Sequence, residues 1–328
     1  SICWVGRPAP MGVLEGLDWA DERLIYKPRS RTVLNRRQLV RELRSRRLDA
    51  IVYLTNSFST GLIGWLAGIP RRVGYARDWR GWMLTDSIPT KTSSYDVDKS
   101  SCIENYLRLA DAMACDSSDR RTELGLTDKD RTMAEECLHA IGLPVDRPLI
   151  VLNTGAATAP TKRWPIEHAA TTARRLAEEL GASIVIHAGP NERETAAALE
   201  ASSAHPFVRS MGRYRDLPLG LSKGLIARSY LVVSTDSGPR HIGVAFNKPV
   251  VSLFGSIDPA ATQTFTRPET IVRLGLACQP CGSYDCRWKH ADCMNKLDSE
   301  RVVRAVKAAI AGSNLRFLER SELGTLVP

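Results

Sequence analysis

The stretch "VVSTDSGPRHIGVAFNKPVVSLFG", Val232 to Gly255, sets two β-branched apolar runs on either side of a polar knot. The first run leads into Ser-Thr-Asp-Ser-Gly-Pro-Arg-His, and the second closes on a glycine. Short apolar runs rich in valine and bounded by turn residues read as buried strands, and the segment between them has the composition of a short helix. Strand, helix and strand in this order imply a parallel sheet. The knot itself has two readings. It is an ordinary turn, or its backbone N–H groups are held open at a strand-to-helix corner for an anion.

Outward from this stretch the alternation continues. Before it come the strand "PLIVLNTGA", the helix "PIEHAATTARRLAEELG" with Pro165 near its first turn and Gly181 past its end, and the strand "SIVIHAG". The helices "NERETAAALEAS" and "LPLGLSKGLIARS" and the strand "YLVVST" follow, and after the knot a last helix, "SERVVRAVKAAIAG", precedes an unassigned tail. The first half alternates too. Strands "SICWVG", "DERLIY", "DAIVYLT" and "RRVGYA" are interleaved with helices "RTVLNRRQLVRELRSRRL" and "FSTGLIGWLAG". "IPTKTSS", from Ile88, reads as loop, and "SSCIENYLRLADAMA" and "DKDRTMAEECLHAIGL" read as amphipathic helices, the second stopped by Gly142 and Pro144. Strands alternating with helices predict parallel sheets covered on both faces. The restart near Pro148 predicts two such domains, 1–146 and 147–328, with ligands in the cleft at the carboxyl ends of the strands.

The chain of 328 residues, 43% hydrophobic and 25% charged, has the composition of a globular protein with room for two cores. No segment approaches the ~18–20 uninterrupted apolar residues of a membrane span. Arg7 and Pro8 cut the opening apolar run short, so it does not read as a secretory signal; the chain opens on a strand without Met and is expected to be a fragment. The net charge is +9, much of it in "KPRSRTVLNRRQLVRELRSRR", Lys27 to Arg47. Such a run is a solvated helix face, or it attracts nucleic acid or an acidic membrane surface. Aromatics are only 6% and none interleave with the basic run as stacking platforms, which argues against nucleic acid and for an anionic small molecule or lipid surface.

Two corners have the chemistry of an anion site. In "NTGAATAPTKRWP", Asn153 to Pro165, a strand ends, small residues follow, Lys162 arrives and Pro165 opens a helix. Exposed N–H groups with a lysine point charge suit a phosphate, although the spacing is not that of a Walker A loop. A plain turn with a solvated lysine fits equally. At the second corner Asp236 or Ser237 is placed to cap the next helix, or the Ser237 and Gly238 N–H groups face a diphosphate with His241 one turn in. Between the corners, Glu192 in "HAGPNERE" follows a strand end, where a carboxylate accepts from ribose hydroxyls or simply starts a helix.

"TKRWP", "AGPNERE", "STDSGPRHIGVAFNKPVVSLFGSIDP" and "CQPC" resemble, in order and spacing, glycosyltransferase family 9, the ADP-heptose:lipopolysaccharide heptosyltransferases, and the chain looks most like the heptosyltransferase II branch. The resemblance is strong over residues 148–295 and collinear before that. It implies a GT-B architecture, two Rossmann-like domains across a cleft: an acceptor-side domain at 1–146 and a nucleotide-sugar domain at 147–328 with a cysteine-rich loop at 278–293. It also implies that Thr158 and Lys162 contact the donor diphosphate or sugar, that Glu192 holds the adenosine ribose, and that Asp236, Ser237, Gly238 and His241 line the sugar-diphosphate site. The family's hydroxyl pair before the lysine is here Ala157-Thr158, and Ser237 stands where threonine is commoner. Members begin with a strand, a Gly-Asp loop carrying the expected catalytic base, and a helix. Here no acid matches that loop, and roughly 30 residues, one strand and helix, are expected to be missing.

The expected reaction is an inverting transfer of heptose from ADP-heptose to a lipopolysaccharide inner-core acceptor, in the cytoplasm and peripheral to the inner membrane, with no required cofactor. Its partners would be ADP-heptose or a related nucleotide-sugar and an anionic lipid A/core acceptor, with membrane contact and no nucleic acid. In "CQPCGSYDCRWKHADCM" the residues Cys278, Cys281, Cys286 and Cys293 have the ligand count of a structural zinc site, with His290 as a spare, and reduced or redox-labile thiols are the other reading. The rival function is a non-catalytic nucleotide-sugar-binding protein with a zinc-stapled loop.

Overall fold

The computed structural model describes residues 1–89, 101–155, 160–265 and 269–312. They form two compact units, one of Ser1–Arg120 with Ala260–Thr264 and the other of Arg121–Pro259 with Phe265 onward.

In the first unit the chain runs β1 (Cys3–Gly6), α1 (Pro8–Val13), β2 (Glu22–Ile25), α2 (Arg36–Ser45), β3 (Ala50–Val52), α3 (Phe58–Ala67), β4 (Arg71–Tyr75), β5 (Asp86–Ile88) and α4 (Cys102–Ala112). β1 pairs with β2 and β3-β4-β5 form a second sheet, every pairing parallel. α2 starts at a capping box: Asn35 accepts from the Gln38 N–H at 3.1 Å, and Gln38 accepts from the Asn35 N–H at 2.9 Å. Its Leu39 and Leu43, four apart, bury against Ile63 and Ala67 of α3. α3 lies close on its strand because it turns glycines inward; a Cβ on Gly64 would stand 2.0 Å from the Tyr53 hydroxyl.

The second unit holds α5 (Asp128–Ala140), β6 (Leu149–Asn153), α6 (Ile166–Leu180), β7 (Ser183–Ile186), α7 (Arg193–Ser203), β8 (Val208–Ser210), α8 (Leu219–Arg228), β9 (Leu231–Thr235), α9 (Gly238–Ala245), β10 (Val250–Leu253), β11 (Glu269–Val272), α10 (Asp292–Asn295) and α11 (Ser299–Gly312). Its sheet has the order β11-β10-β9-β6-β7-β8, all parallel. Every residue of β6, β7, β9 and β10 is buried, as a sheet covered on both faces requires. The strand order reverses between β6 and β9. Such a switch point opens a crevice at the carboxyl ends of the two strands.

α5 belongs to this second unit because it packs on α8. A Cβ on Gly224 would meet the Asp130 carbonyl oxygen at 2.2 Å, and buried Lys223 pairs with buried Asp130 at 3.1 Å. Truncating either charge would take from the other its buried ion-pair partner, a loss of roughly 3–5 kcal/mol.

The long elements stand where hydrophobic periodicity sets them. Ile88, expected to open a loop, instead closes β5, and the rest of that loop and the unassigned tail from 313 lie outside the described residues. α1, β8, β11 and α10, three to six residues each, carry too little pattern to be read beforehand.

Candidate functional site

β6 and β9 deliver their last residues side by side, Asn153 opposite Ser234, at the switch point. Asn153 is buried, and its amide donates to the Ser237 hydroxyl at 2.8 Å and to the Ser234 hydroxyl at 3.1 Å. The Thr235 hydroxyl donates to the Gly155 carbonyl at 2.6 Å. These bonds lock the first corner to the second. Ser237 occupies the position before α9, but of the two readings of this corner the capping one does not hold for either residue: the Ser237 hydroxyl faces Asn153, and the Asp236 carboxylate is held by cations. The first-turn N–H groups of α9 therefore have no side-chain partner from Ser237, and Gly238, at the first helical position, is exposed.

Lys162 ends the short 3-10 turn Pro160–Lys162 and donates to the Asp236 carboxylate at 2.7 Å and its carbonyl at 3.2 Å. The other Asp236 oxygen accepts from Arg240 Nη1 at 3.1 Å. Arg240, fully buried, also engages Glu269 through Nε at 2.6 Å and Nη2 at 3.2 Å. Lys162, Asp236, Arg240 and Glu269 form one chain of alternating charge. Burial pushes the Asp236 carboxyl up, and the hydrogen bond and charge of Lys162, with the Arg240 charge, outweigh it and hold the group below the usual carboxylate range. His241, one turn into α9 and exposed, is pushed down first by lost hydration and then by Arg240, with Asp236 and Glu269 opposing.

Glu192 accepts from the Gly189 N–H at 2.8 Å and leans on the first corner, where a Cβ on Gly155 would stand 2.2 Å from its Oε1. The structure thus gathers Lys162, Glu192, Asp236, Ser237, Gly238 and His241 around the ends of β6 and β9. Thr158 lies outside the described residues. Asn153, Arg240 and Glu269 were not anticipated; a polar residue closing an all-apolar strand was the one signal for Asn153.

The cysteine loop backs this corner. The buried Thr161 hydroxyl, beside Lys162, reaches the carbonyls of Ser283 at 2.8 Å and Tyr284 at 3.0 Å. The zinc expectation is not met. All four thiols are free, and among the described residues no three His, Cys, Asp or Glu side chains stand together as a metal-ion site. The Cys286 sulfur accepts from the Ala291 N–H at 3.4 Å, and this contact with the neighbouring N–H groups of Trp288, His290 and Lys289 lowers its pKa. Cys293, within α10, is buried, and its pKa is raised first by that burial and then by the charges of Cys281, Cys278 and Cys286.

Taken as a whole, this corner of a doubly wound sheet brings together an open helix start, a lysine and a carboxylate. The chain is similar to known proteins. A profile of "Glycosyltransferase family 9 (heptosyltransferase)" matches residues 36–292. The chain is 27% identical over 289 residues to lipopolysaccharide heptosyltransferase 2 of Escherichia coli (strain K12), covering 84% of this chain and 79% of that protein. It is 28% identical over 258 residues to lipooligosaccharide heptosyltransferase 2 of Haemophilus ducreyi, covering 74% and 70%. Among solved structures it is similar to a family 9 glycosyl transferase from Veillonella parvula (TM-score 0.76, 21% identity, 95% and 88% covered). It is also similar to ADP-heptose LPS heptosyltransferase II of E. coli (TM-score 0.73, 24% identity, 94% and 89% covered). These likenesses support the α/β, GT-B fold class with Rossmann-like parallel sheets. With well over half its length matched by the family profile, the chain belongs to glycosyltransferase family 9.

Proposed function

We propose that this chain is an inverting glycosyltransferase that moves heptose from ADP-heptose to a lipopolysaccharide inner-core acceptor. The observation that carries the reading is the switch-point corner, where the uncapped start of α9 and Lys162 converge on the carboxyl ends of β6 and β9. An α-helix start and an ammonium together favour the charge that grows on a departing diphosphate. Glu192 holds the ribose of the donor, and Thr158, Asp236, Ser237, Gly238 and His241 complete the sugar-diphosphate site. The names of the relatives, lipopolysaccharide and lipooligosaccharide heptosyltransferases, support the same donor and acceptor classes.

In the displacement, the acceptor hydroxyl oxygen bonds to the anomeric carbon while the bond from that carbon to the diphosphate oxygen breaks. ADP leaves with the electron pair, and the hydroxyl proton passes to a base, a role assigned to no residue of this chain. Lys162 trades its Asp236 partner for the diphosphate, while Arg240 keeps Asp236 compensated. Such a displacement needs no cofactor, and zinc has no part in it. We assign residues 1–146 to the acceptor side, except α5, which packs in the second unit, and 147–328 to the donor, in the cytoplasm at the inner face of the membrane. Among the described residues no helix is long and apolar enough to cross a bilayer; the contact we propose is peripheral.

Calorimetric titration with ADP and with ADP-heptose tests this reading on the intact chain and on Lys162→Ala. The expected loss for the variant is about tenfold or more in affinity, the size of a hydrogen bond to a charged group. A folded chain that binds neither compound overturns the donor assignment.

A further inference from the structure

α3 is built inside out. Its buried face carries small residues, Gly61, Gly64 and Ala67 with Ile63, while the large apolar Trp65 and Leu66 face outward, 45% and 42% exposed. A helix apolar all round needs cover on both sides. The outer side continues in Trp82, 62% exposed, whose ring packs edge-to-face on Trp65 at 5.6 Å. Three residues before it stands Trp79, 91% exposed, on a turn in which Asp78 and Trp79 both take positive φ (52° and 60°). That turn is pinned from below. The fully buried Arg80 guanidinium donates to the Tyr75 carbonyl at 2.9 Å, to Asn56 at 3.1 Å and to the Thr55 carbonyl. The exposed indole is therefore presented by the fold.

A basic stripe adjoins this patch. Arg37, Arg41 and Arg44 are exposed, and their spacing puts them on one face of α2. Arg44 donates to the Leu66 carbonyl, which brings the stripe against the tryptophan pair. Among the described residues no carboxylate pairs with any of the three, and Glu42, on the same helix, is taken by Arg46 at 2.6 Å. Indole rings beside uncompensated guanidinium groups suit the headgroup layer of an anionic bilayer: the rings sit at the boundary between chains and headgroups, and the arginines reach phosphates. A second copy of this chain would bring the same arginines face to face.

We infer that the face formed by α2, the end of α3 and the Trp79–Trp82 turn docks the first unit on an anionic lipid surface. The inference rests on the peripheral membrane contact of the proposed function and deepens it by naming the surface, but it does not depend on which donor is bound.

The test is co-sedimentation of the intact chain with phosphatidylcholine vesicles, with and without phosphatidylglycerol, while following tryptophan emission. Two surface variants serve as probes, Trp65→Ser/Trp82→Ser and Arg37→Gln/Arg41→Gln/Arg44→Gln, with circular dichroism and ADP titration confirming that each is folded. Binding to the phosphatidylglycerol vesicles with a blue-shifted emission is expected. The arginine variant should bind about fivefold less per charge removed, on the order of a hundredfold in all. The tryptophan variant should show a smaller blue shift, because Trp79 is the one indole of the face that it retains. Equal binding to phosphatidylcholine alone, unchanged binding by the arginine variant, or no binding at all would overturn the inference. So would a dimer by light scattering that Trp65→Ser/Trp82→Ser dissociates, which would make a second copy the occupant. Loss of ADP binding by the parent chain would sink the donor reading and leave the vesicle result standing.

Discussion

The Ser237 hydroxyl accepts a hydrogen bond from the Asn153 amide at 2.8 Å, across the switch point, instead of capping α9. This bond is one of those that join the two corners, and it leaves the helix start open. Ser237→Ala should therefore cost little in helix stability, because no cap is lost. Asn153→Ala removes the shared donor from three hydroxyl-bearing residues in a buried setting and should destabilise the chain by about 1–3 kcal/mol. Urea denaturation of both variants checks the order, and a Ser237→Ala loss as large as that of Asn153→Ala would contradict it.

Arg240 is the keystone of the buried charges. Replacing it with Met takes the buried guanidinium from Glu269 and leaves Asp236 with Lys162, and the expected destabilisation is roughly 3–5 kcal/mol. Arg240→Met/Glu269→Gln should recover part of it, since the Glu269 charge is removed together with its guanidinium partner. The pH dependence follows from Asp236, whose folded pKa is depressed by Lys162 and Arg240 against the opposing effect of burial. A depressed carboxyl contributes stability that is fully present above its unfolded pKa near 3.8 and lost as pH falls through the lower folded value. Asp236→Asn should thus flatten the acid limb of a stability profile below about pH 4 relative to the parent.

Much of this site was legible before the fold. The Val-rich runs of β9 and β10, the small residues after β6, and Lys162 ahead of a helix-opening proline all carry local chemistry that a strand-to-helix corner requires. Arg240 was not legible, because an arginine between proline and histidine looks like helix surface. Its burial depends on Glu269, 29 positions away, and on β11 adding itself beside β10. Of the two readings of Ser237, the cap loses to a partner 84 residues distant, which no local preference could show. The cysteines misled in a different way. Spacing counts ligands, but the direction of the Cys286 sulfur is set by the backbone N–H groups that surround it.

His187 follows β7, with Nε2 2.9 Å from the Ser222 hydroxyl and Nδ1 buried without a partner. Burial pushes its pKa from 6.5 down to about 4, so the folded protein keeps the ring neutral. A depressed base contributes stability that is fully present above its unfolded pKa of 6.5 and lost as pH falls from there to about 4. The loss is about 1.4 kcal/mol per pH unit at its steepest and about 3 kcal/mol in all. His187→Gln retains a polar partner for Ser222 and should remove this slope. Parallel urea titrations between pH 7 and pH 4 measure it, and identical slopes for parent and variant would show that His187 does not titrate as a buried base.

Gly155 and Glu192 offer the sharpest separation of ribose from diphosphate. A Cβ at Gly155 would stand 2.2 Å from Glu192 Oε1 and 2.9 Å from its carboxyl carbon, so Gly155→Ala must push the carboxylate off the corner. The φ of Gly155 is not positive, so alanine brings no backbone strain, and the substitution acts through the displaced acid. If Glu192 holds the ribose, Gly155→Ala and Glu192→Gln should each weaken ADP by about tenfold and leave inorganic diphosphate binding unchanged. Lys162→Ala should weaken both ligands. Competition titrations of the three variants with ADP and diphosphate distinguish the roles. Equal losses for both ligands in Gly155→Ala would mean that the corner backbone, not the Glu192 carboxylate, does the recognising.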